Sequence, residues 1–246
     1  MKIIGGIYKG RNIRYPHGAV NLRPTSALVR KAIFDMVGSI SIFGVLGVIE
    51  GAEVADIYAG TGMLGIEAIS RGAGRVTFVE SNHRAAMSIK QNLDDLGVPV
   101  SRYSIIHSRV DRFLRSSSMF DIAFVDAPYD LVYSVPGAYS VVDHHLGEPA
   151  GHSGPAGHSG SARHSGSARH SEPAGHSGPA SSSEKRADRR TPVIGGNLLS
   201  QLRASLAVIE TRPGDYIIPS GWEVIKQHRY GGTMVTVLRM RTSSTT

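Results

Sequence analysis

From residue 54 onward, short apolar runs alternate with longer stretches in which apolar residues recur every three or four positions. The short runs at 54–59, 75–80, 103–107 and 120–126 predict strands. The stretches at 60–70, 82–96 and 110–115 predict helices. A helix over 197–204 and a strand over 206–211 continue the alternation, and strands over 222–229 and 233–240 flank Tyr230-Gly231-Gly232. Alternating strand and helix implies an α/β fold with a doubly wound, largely parallel sheet. The last tight turn implies an antiparallel hairpin at one edge. Ahead of this region, residues 2–8 and 11–15 predict two short strands around Lys9-Gly10. Ser26 is placed to cap a helix over 26–37 whose apolar face is Leu28, Ala32, Ile33 and Met36.

The pattern stops at residue 145. Six hexapeptides, from HLGEPA to GHSGPA, fill 145–180, and a polar tail runs to Arg190. After Leu146 no Leu, Ile, Val or aromatic residue occurs until Val193. Neither a β-helix nor any other core can be built from such a segment, so it is expected to be disordered. Seven of the 11 histidines, 144, 145, 152, 158, 164, 170 and 176, lie at or beside it. Spaced histidines bind nickel, zinc or copper weakly, but a repeat expanded in a tolerant surface loop accounts for them more simply. Without 145–190 the chain has 200 residues, ample for one domain.

Lys and Arg number 27 against 20 Asp and Glu. Five of the seven excess positive charges fall in residues 1–50 and two in 145–190. A basic N-terminal arm suggests a polyanionic partner, against the plainer reading of a solvated basic face. The absence of cysteine excludes disulfides, a thiol nucleophile and cysteine-ligated metal sites, and fits a cytoplasmic protein. The longest uncharged stretch outside the repeat, 36–49, has 14 residues, too few to span a bilayer. The start of the chain carries no run resembling a signal peptide.

Two motifs carry chemistry. Gly60-Thr61-Gly62-Met63-Leu64-Gly65 has the GxGxxG spacing between a strand and a helix, where small residues let a ligand approach the backbone and the helix offers free N–H groups. Glu80, twenty residues after Gly60, ends the next strand, where a carboxylate can accept both hydroxyls of a ribose. Together they indicate a nucleoside-bearing cofactor without separating NAD from S-adenosylmethionine. The second motif is Asp126-Ala127-Pro128-Tyr129 at the end of the fourth strand of the α/β region. A carboxylate and backbone carbonyls that accept from an amine, beside a ring that stacks, suit an amino-bearing nucleobase taken out of its stack.

At these residues the chain resembles the bacterial 16S rRNA guanine-N2 methyltransferases of the RsmD family. Ile3-Ile4-Gly5-Gly6 with Gly10-Arg11 is similar to the family's opening hairpin, and Leu22-Arg23-Pro24-Thr25-Ser26 to its signature before the first helix. Residues 56–67 with Ser70-Arg71-Gly72-Ala73 resemble its cofactor motif, and 76–80 its second strand. Asn92-Leu93 with Leu96-Gly97 also fits, and 120–129 resembles its Asp-Pro-Pro-Tyr strand. The likeness covers about 190 of the 246 residues. Departures are Ala127 in place of the first Pro, Arg109 where the family usually has Asp or Asn near the cofactor adenine, and Ala27 and Lys31 where it often has acids.

The resemblance implies a class I S-adenosylmethionine-dependent methyltransferase fold, Rossmann-like, with an RNA-engaging extension over 1–50 and a catalytic domain over 51–246 interrupted by 145–190. It implies S-adenosyl-L-methionine as cofactor, held by Asp56, Tyr58, Gly60, Thr61, Gly62, Gly65 and Glu80. Asp126, Ala127, Pro128 and Tyr129 would form the catalytic loop. Lys9, Arg11, Arg14, Arg23 and Thr25 would engage 16S rRNA or the small ribosomal subunit. Strand alternation separates Arg11 from Arg14, so one basic face requires a bend at Gly10. A monomer with no metal and no membrane contact is expected. An amino-group DNA methyltransferase uses the same catalytic set, and the basic arm favours RNA over it. A noncatalytic RNA-binding remnant would rest on Ala127 and Arg109. An NAD-dependent dehydrogenase lacks a His or Lys at a strand end to polarise its substrate.

Overall fold

A computed structural model of the chain describes residues 1–15, 25–42, 45–46, 49–127, 195–213 and 218–241, with the side chains of 41–48 and 195–197 outside that description. The repeat at 145–190 lies outside the described residues, as do Arg23, Pro128 and Tyr129.

The elements are α1 (Ala27–Gly38), β1 (Ser41–Ile42), β2 (Val45–Leu46), β3 (Glu53–Ile57), α2 (Met63–Ser70), β4 (Arg75–Glu80), α3 (His83–Leu96), β5 (Tyr103–His107), α4 (Val110–Leu114), β6 (Phe120–Val125), α5 (Gly195–Gln201), β7 (Ala204–Thr211), β8 (Trp222–Tyr230) and β9 (Thr233–Met240). Seven strands form one sheet in the order β5-β4-β3-β6-β7-β9-β8. The first five strands in that order are parallel, and β9 and β8 are antiparallel additions. This is the expected doubly wound sheet with its antiparallel hairpin. The hairpin enters with its second strand inward, because β9 pairs with both β7 and β8.

The central strands read as continuous apolar runs because helices cover both faces. On one face Ile3, Ile13, Val29, Ile33, Phe34, Leu64, Ile66 and Ile89 pack over Val54, Phe78 and Phe124. On the other, Val110, Leu114, Leu198, Leu199 and Trp222 cover Ala55, Ile57, Val79 and Ala207.

Two expectations need correction, and one pairing is new. The N-terminal strands reduce to one antiparallel bridge between Lys2 and Asn12, because the chain bends at Gly5 and runs through a turn to Gly10. Helix α1 buries Val29, Arg30, Ala32, Ile33, Phe34 and Val37, so Ala32 and Ile33 lie inward as expected and Met36 is half-buried, but Leu28 is 67% exposed. Residues 36–49 contain the small antiparallel pair β1 and β2, which the sequence pattern does not announce. The Ser26 cap is as expected, its hydroxyl accepting from the Val29 N–H at 3.2 Å. Among the described residues no helix is long and apolar enough to cross a membrane.

Candidate active site

Register brings the candidate residues to one level. Ile57 pairs with Val79 on one side and Val125 on the other. The next residues, Tyr58, Glu80 and Asp126, therefore emerge together at the carboxyl edge of three adjacent strands. Glu80 in turn pairs with His107 on β5. The chain leaves β3 towards β4 and later returns to β6 on the opposite flank, so a switch point lies between β3 and β6, where open α/β sheets bind ligands.

The loop after β3 is shaped by its glycines. Gly60 and Gly62 have φ of 55° and 72°, in the left-handed region. A Cβ on Gly65 would lie 2.3 Å from the Phe78 ring, so the third glycine is required where α2 packs on β4. Tyr58 also has a positive φ, 61°, an uncommon state for a bulky residue and a strained point in the site. Burial pushes its phenol up to about 12, and Asp111 nearby adds to the effect.

Glu80 clamps this loop. Its Oε2 accepts from the Gly60 N–H at 2.8 Å and its Oε1 from the Asn82 N–H at 2.6 Å. Each oxygen keeps a lone pair for a further donor. Asp56 sits behind the loop, 2% exposed, with Oδ2 accepting from the Gly65 N–H at 2.8 Å. Burial raises its carboxyl to about 8, lowered in part by that hydrogen bond and raised further by Asp126 and Glu80. Thr61 is buried in the same turn.

Asp126 follows β6 and accepts from the Thr25 hydroxyl through Oδ2 at 3.0 Å. Burial raises its carboxyl to about 6, against the pull of the Thr25 hydrogen bond. Ala127 beside it is buried. Thr25, expected among the RNA contacts, lies here with its hydroxyl on the Asp126 carboxylate. Arg109 occupies the N-cap position of α4 without capping it, and its Nε donates to Asp111 Oδ1 at 3.0 Å. An N-cap suits Asp or Asn, so the substitution leaves the helix start uncapped by a side chain.

The basic arm is tied down more than its sequence indicates. Gly10 turns with φ of 84°, and Arg11 and Arg14 then converge on one acid at the end of α3. Arg14 Nε lies 2.9 Å from Asp95 Oδ2, and Arg11 Nη2 donates to the Asp95 carbonyl at 3.1 Å. Lys9 stands exposed on the preceding turn.

Sequence reasoning missed a buried polar junction under this arm. Glu67, wholly buried in α2, accepts from the Ile4 N–H and from Arg71. Ser70 donates to the Gly5 carbonyl and accepts from the Tyr8 N–H. Asn92 brackets Arg14 by accepting from its N–H and donating to its carbonyl. Polar residues within apolar helical stretches, Glu67 between Ile66 and Ala68 above all, were the available signal. Among the described residues no cluster of His, Cys, Asp and Glu could hold a metal ion.

The family model described as Conserved hypothetical protein 95 matches residues 1–146. The ribosomal RNA small subunit methyltransferase D of Buchnera aphidicola is 33% identical over 129 residues, covering 52% of this chain and 62% of that protein. The protein of the same description from Escherichia coli K12 is 32% identical over 130 residues, covering 52% and 60%. The matched region thus spans about three fifths of these relatives. A solved structure of a candidate methyltransferase from Escherichia coli superposes with a TM-score of 0.61 at 20% identity, covering 99% of each chain. That likeness shows the fold, the class I Rossmann-like methyltransferase fold, with 1–15 and α1 included.

Proposed function

This chain belongs to the RsmD family, and from that premise we propose that it transfers a methyl group from S-adenosylmethionine to the 2-amino group of a guanine in 16S rRNA. The observation that carries the reading is the meeting of the Gly60–Gly65 loop, Glu80 and Asp126 at one switch point. The residues suit the cofactor: the glycine loop leaves its backbone open to approach, and both Glu80 oxygens retain lone pairs for ribose hydroxyls. When bound, the cofactor supplies a methyl group activated on a sulfonium.

The chain's own residues then do the positioning. A guanine amine is a weak nucleophile because its lone pair is delocalised into the ring. Asp126 and the carbonyl of Ala127 or Pro128 accept its N–H bonds and aim the lone pair, while Tyr129 stacks on the base. Proximity and alignment supply the rate, and the amine loses its proton as or after the new bond forms. Asp56 acts through the loop it braces, Tyr58 and Thr61 wall the same crevice, and Asp111 is the nearby acceptor for an adenine amine that Arg109 cannot serve. Lys9, Arg11, Arg14 and Arg23 hold phosphates of the rRNA or small subunit in the basic extension over 1–50. The reading places the protein in the cytoplasm as a monomer.

Small subunits from a strain lacking this protein, incubated with labelled cofactor and digested to nucleosides, test the proposal. Label in N2-methylguanine of 16S rRNA is the expected result. Label confined to another nucleoside, or none, overturns it. Within the same reading, Glu80→Ala weakens cofactor binding by about 1.5–3 kcal/mol, the range for a hydrogen bond to a charged group. Calorimetry showing equal affinity in variant and parent would remove Glu80 from the ribose site.

A further inference from the structure

We propose that Arg30 is a positioning residue for Asp126, acting through Thr25. Arg30 lies in the first turn of α1 and is 3% exposed, unlike the other described cations of the N-terminal extension, which are exposed. Its Nη1 donates to the Thr25 carbonyl at 2.7 Å and its Nη2 to the Lys2 carbonyl at 3.0 Å. The Thr25 hydroxyl in turn donates to Asp126 Oδ2 at 3.0 Å. The rigid guanidinium fork therefore fixes the Thr25 peptide from one side, using the Lys2 backbone as its second anchor. Ser26 fixes the next residue by capping α1. The Thr25 backbone is thereby held where its hydroxyl reaches Asp126.

The consequence for Asp126 is a choice between its two oxygens. Thr25 occupies Oδ2, and no described residue bonds Oδ1, which faces the role of accepting the substrate amine. Without the Arg30 anchor, the carboxylate rotates between equivalent placements and aims the amine less often. Burying a guanidinium carries a desolvation cost, seen in the lowered pKa of Arg30, and buried Glu67 opposes it electrostatically. Among the described residues Arg30 Nε has no hydrogen-bond partner. An arginine placed only for stability is poorly served by such a site, whereas one holding two distant backbone carbonyls together is well served.

This inference rests on the proposed methyl transfer, but its test does not depend on turnover. The Asp126 carboxyl is titrated by carbon NMR in the ligand-free protein, in the parent and in Thr25→Val, Arg30→Met, Arg30→Lys and the Thr25→Val/Arg30→Met double variant. The Thr25 hydrogen bond favours the ionised carboxyl, so Thr25→Val moves the titration to higher pH. Arg30→Met moves it in the same direction, and Arg30→Lys, which can hold one carbonyl but not both, moves it less. Asp56 from β3 is the titratable neighbour electrostatically linked to Asp126, and to Glu80 of β4 on its other side; with its own carboxyl raised to about 8 it stays protonated where Asp126 titrates, and these substitutions leave both acids in place.

In turnover, Arg30→Met lowers kcat at least tenfold with cofactor affinity unchanged, and the double variant is no slower than the slower single variant. An Asp126 titration unmoved in both Arg30 variants overturns the proposal, as does a double variant whose losses multiply. If Arg30→Met does not fold, Arg30→Lys alone decides by the same titration. A parent that transfers no methyl group defeats the proposed function and leaves the titration to judge the Arg30 link.

Discussion

Asp56 and Asp126 are acids held away from water, and each makes the molecule respond to pH. Asp56 has its carboxyl raised from 3.8 to about 8. The folded state therefore binds that proton more tightly than the unfolded chain, and the resulting stabilisation is complete below about pH 4 and lost as pH rises through about 8. Asp56→Asn keeps an oxygen for the Gly65 N–H without the ionisation. The thermal midpoint of the parent should consequently fall more steeply between pH 5 and 8 than that of the variant, and parallel curves would show that Asp56 titrates normally. In the proposed reaction Asp126, raised to about 6, accepts the amine in its ionised form, so on that reading kcat should drop below about pH 6. A pH–rate profile without that acid limb would remove its amine-accepting role. At this scale the sequence was informative for Glu80 and Asp126, because spacing and position at a strand end mark them. It marked Thr25 only as an RNA contact and was silent on Arg30. The hydrogen bond from Thr25 crosses 101 residues, and Arg30 reads as one more cation of a basic arm until its burial is seen.

Strands β4 and β5 match the sequence pattern residue for residue, since turn residues bound both, although β4 is largely buried and β5, at the sheet edge, is only half-buried. The N-terminal arm does not, because its shape comes from what it lies on. At Gly6, φ is 73° and an added Cβ would fall 1.7 Å from the Ser70 carbonyl oxygen, so the bend there is set by contact with α2. Gly6→Ala should lift the arm and cost about 1–3 kcal/mol, as overpacking does. Chemical denaturation measures the loss, and unchanged stability would mean that the arm is not docked in solution. Helix α1 shows the same dependence. Its buried face turns towards Phe124, 5.5 Å from Phe34 between ring centroids, leaving Leu28 outward where periodicity alone had placed it in the core.

Across the whole molecule, the repeat separates β6 from α5 and β7, which pair in the sheet all the same. Closing a longer loop costs little, about 0.6 kcal/mol for each doubling of length. Deleting 147–188, a stretch without core-forming residues, should leave the thermal midpoint and turnover nearly unchanged. Loss of soluble expression or of activity would show that the repeat is a working element. Charge is a property of the same scale. Neutralising Lys9, Arg11 and Arg14 together should weaken RNA binding and flatten its dependence on log salt by up to about two to three units, roughly 0.7–0.9 per phosphate contact. Cofactor affinity should not follow. An unchanged salt slope would return the arm to the role of a solvated edge and move the RNA surface elsewhere.

The inward placement of β9 also governs the order in which the molecule can be completed during synthesis. Strand β7 is made before the partner that covers its outer flank, and β8, though made sooner than β9, attaches only through it. Until Thr233–Met240 has left the ribosome, the nascent chain presents β7, with Leu206, Val208 and Ile209, as an open apolar edge ready to pair with a neighbour. A message truncated ahead of codon 233 would therefore yield an aggregating product rather than a slightly shortened folded protein, and a chaperone that shields sheet edges would find its client in this late window of translation.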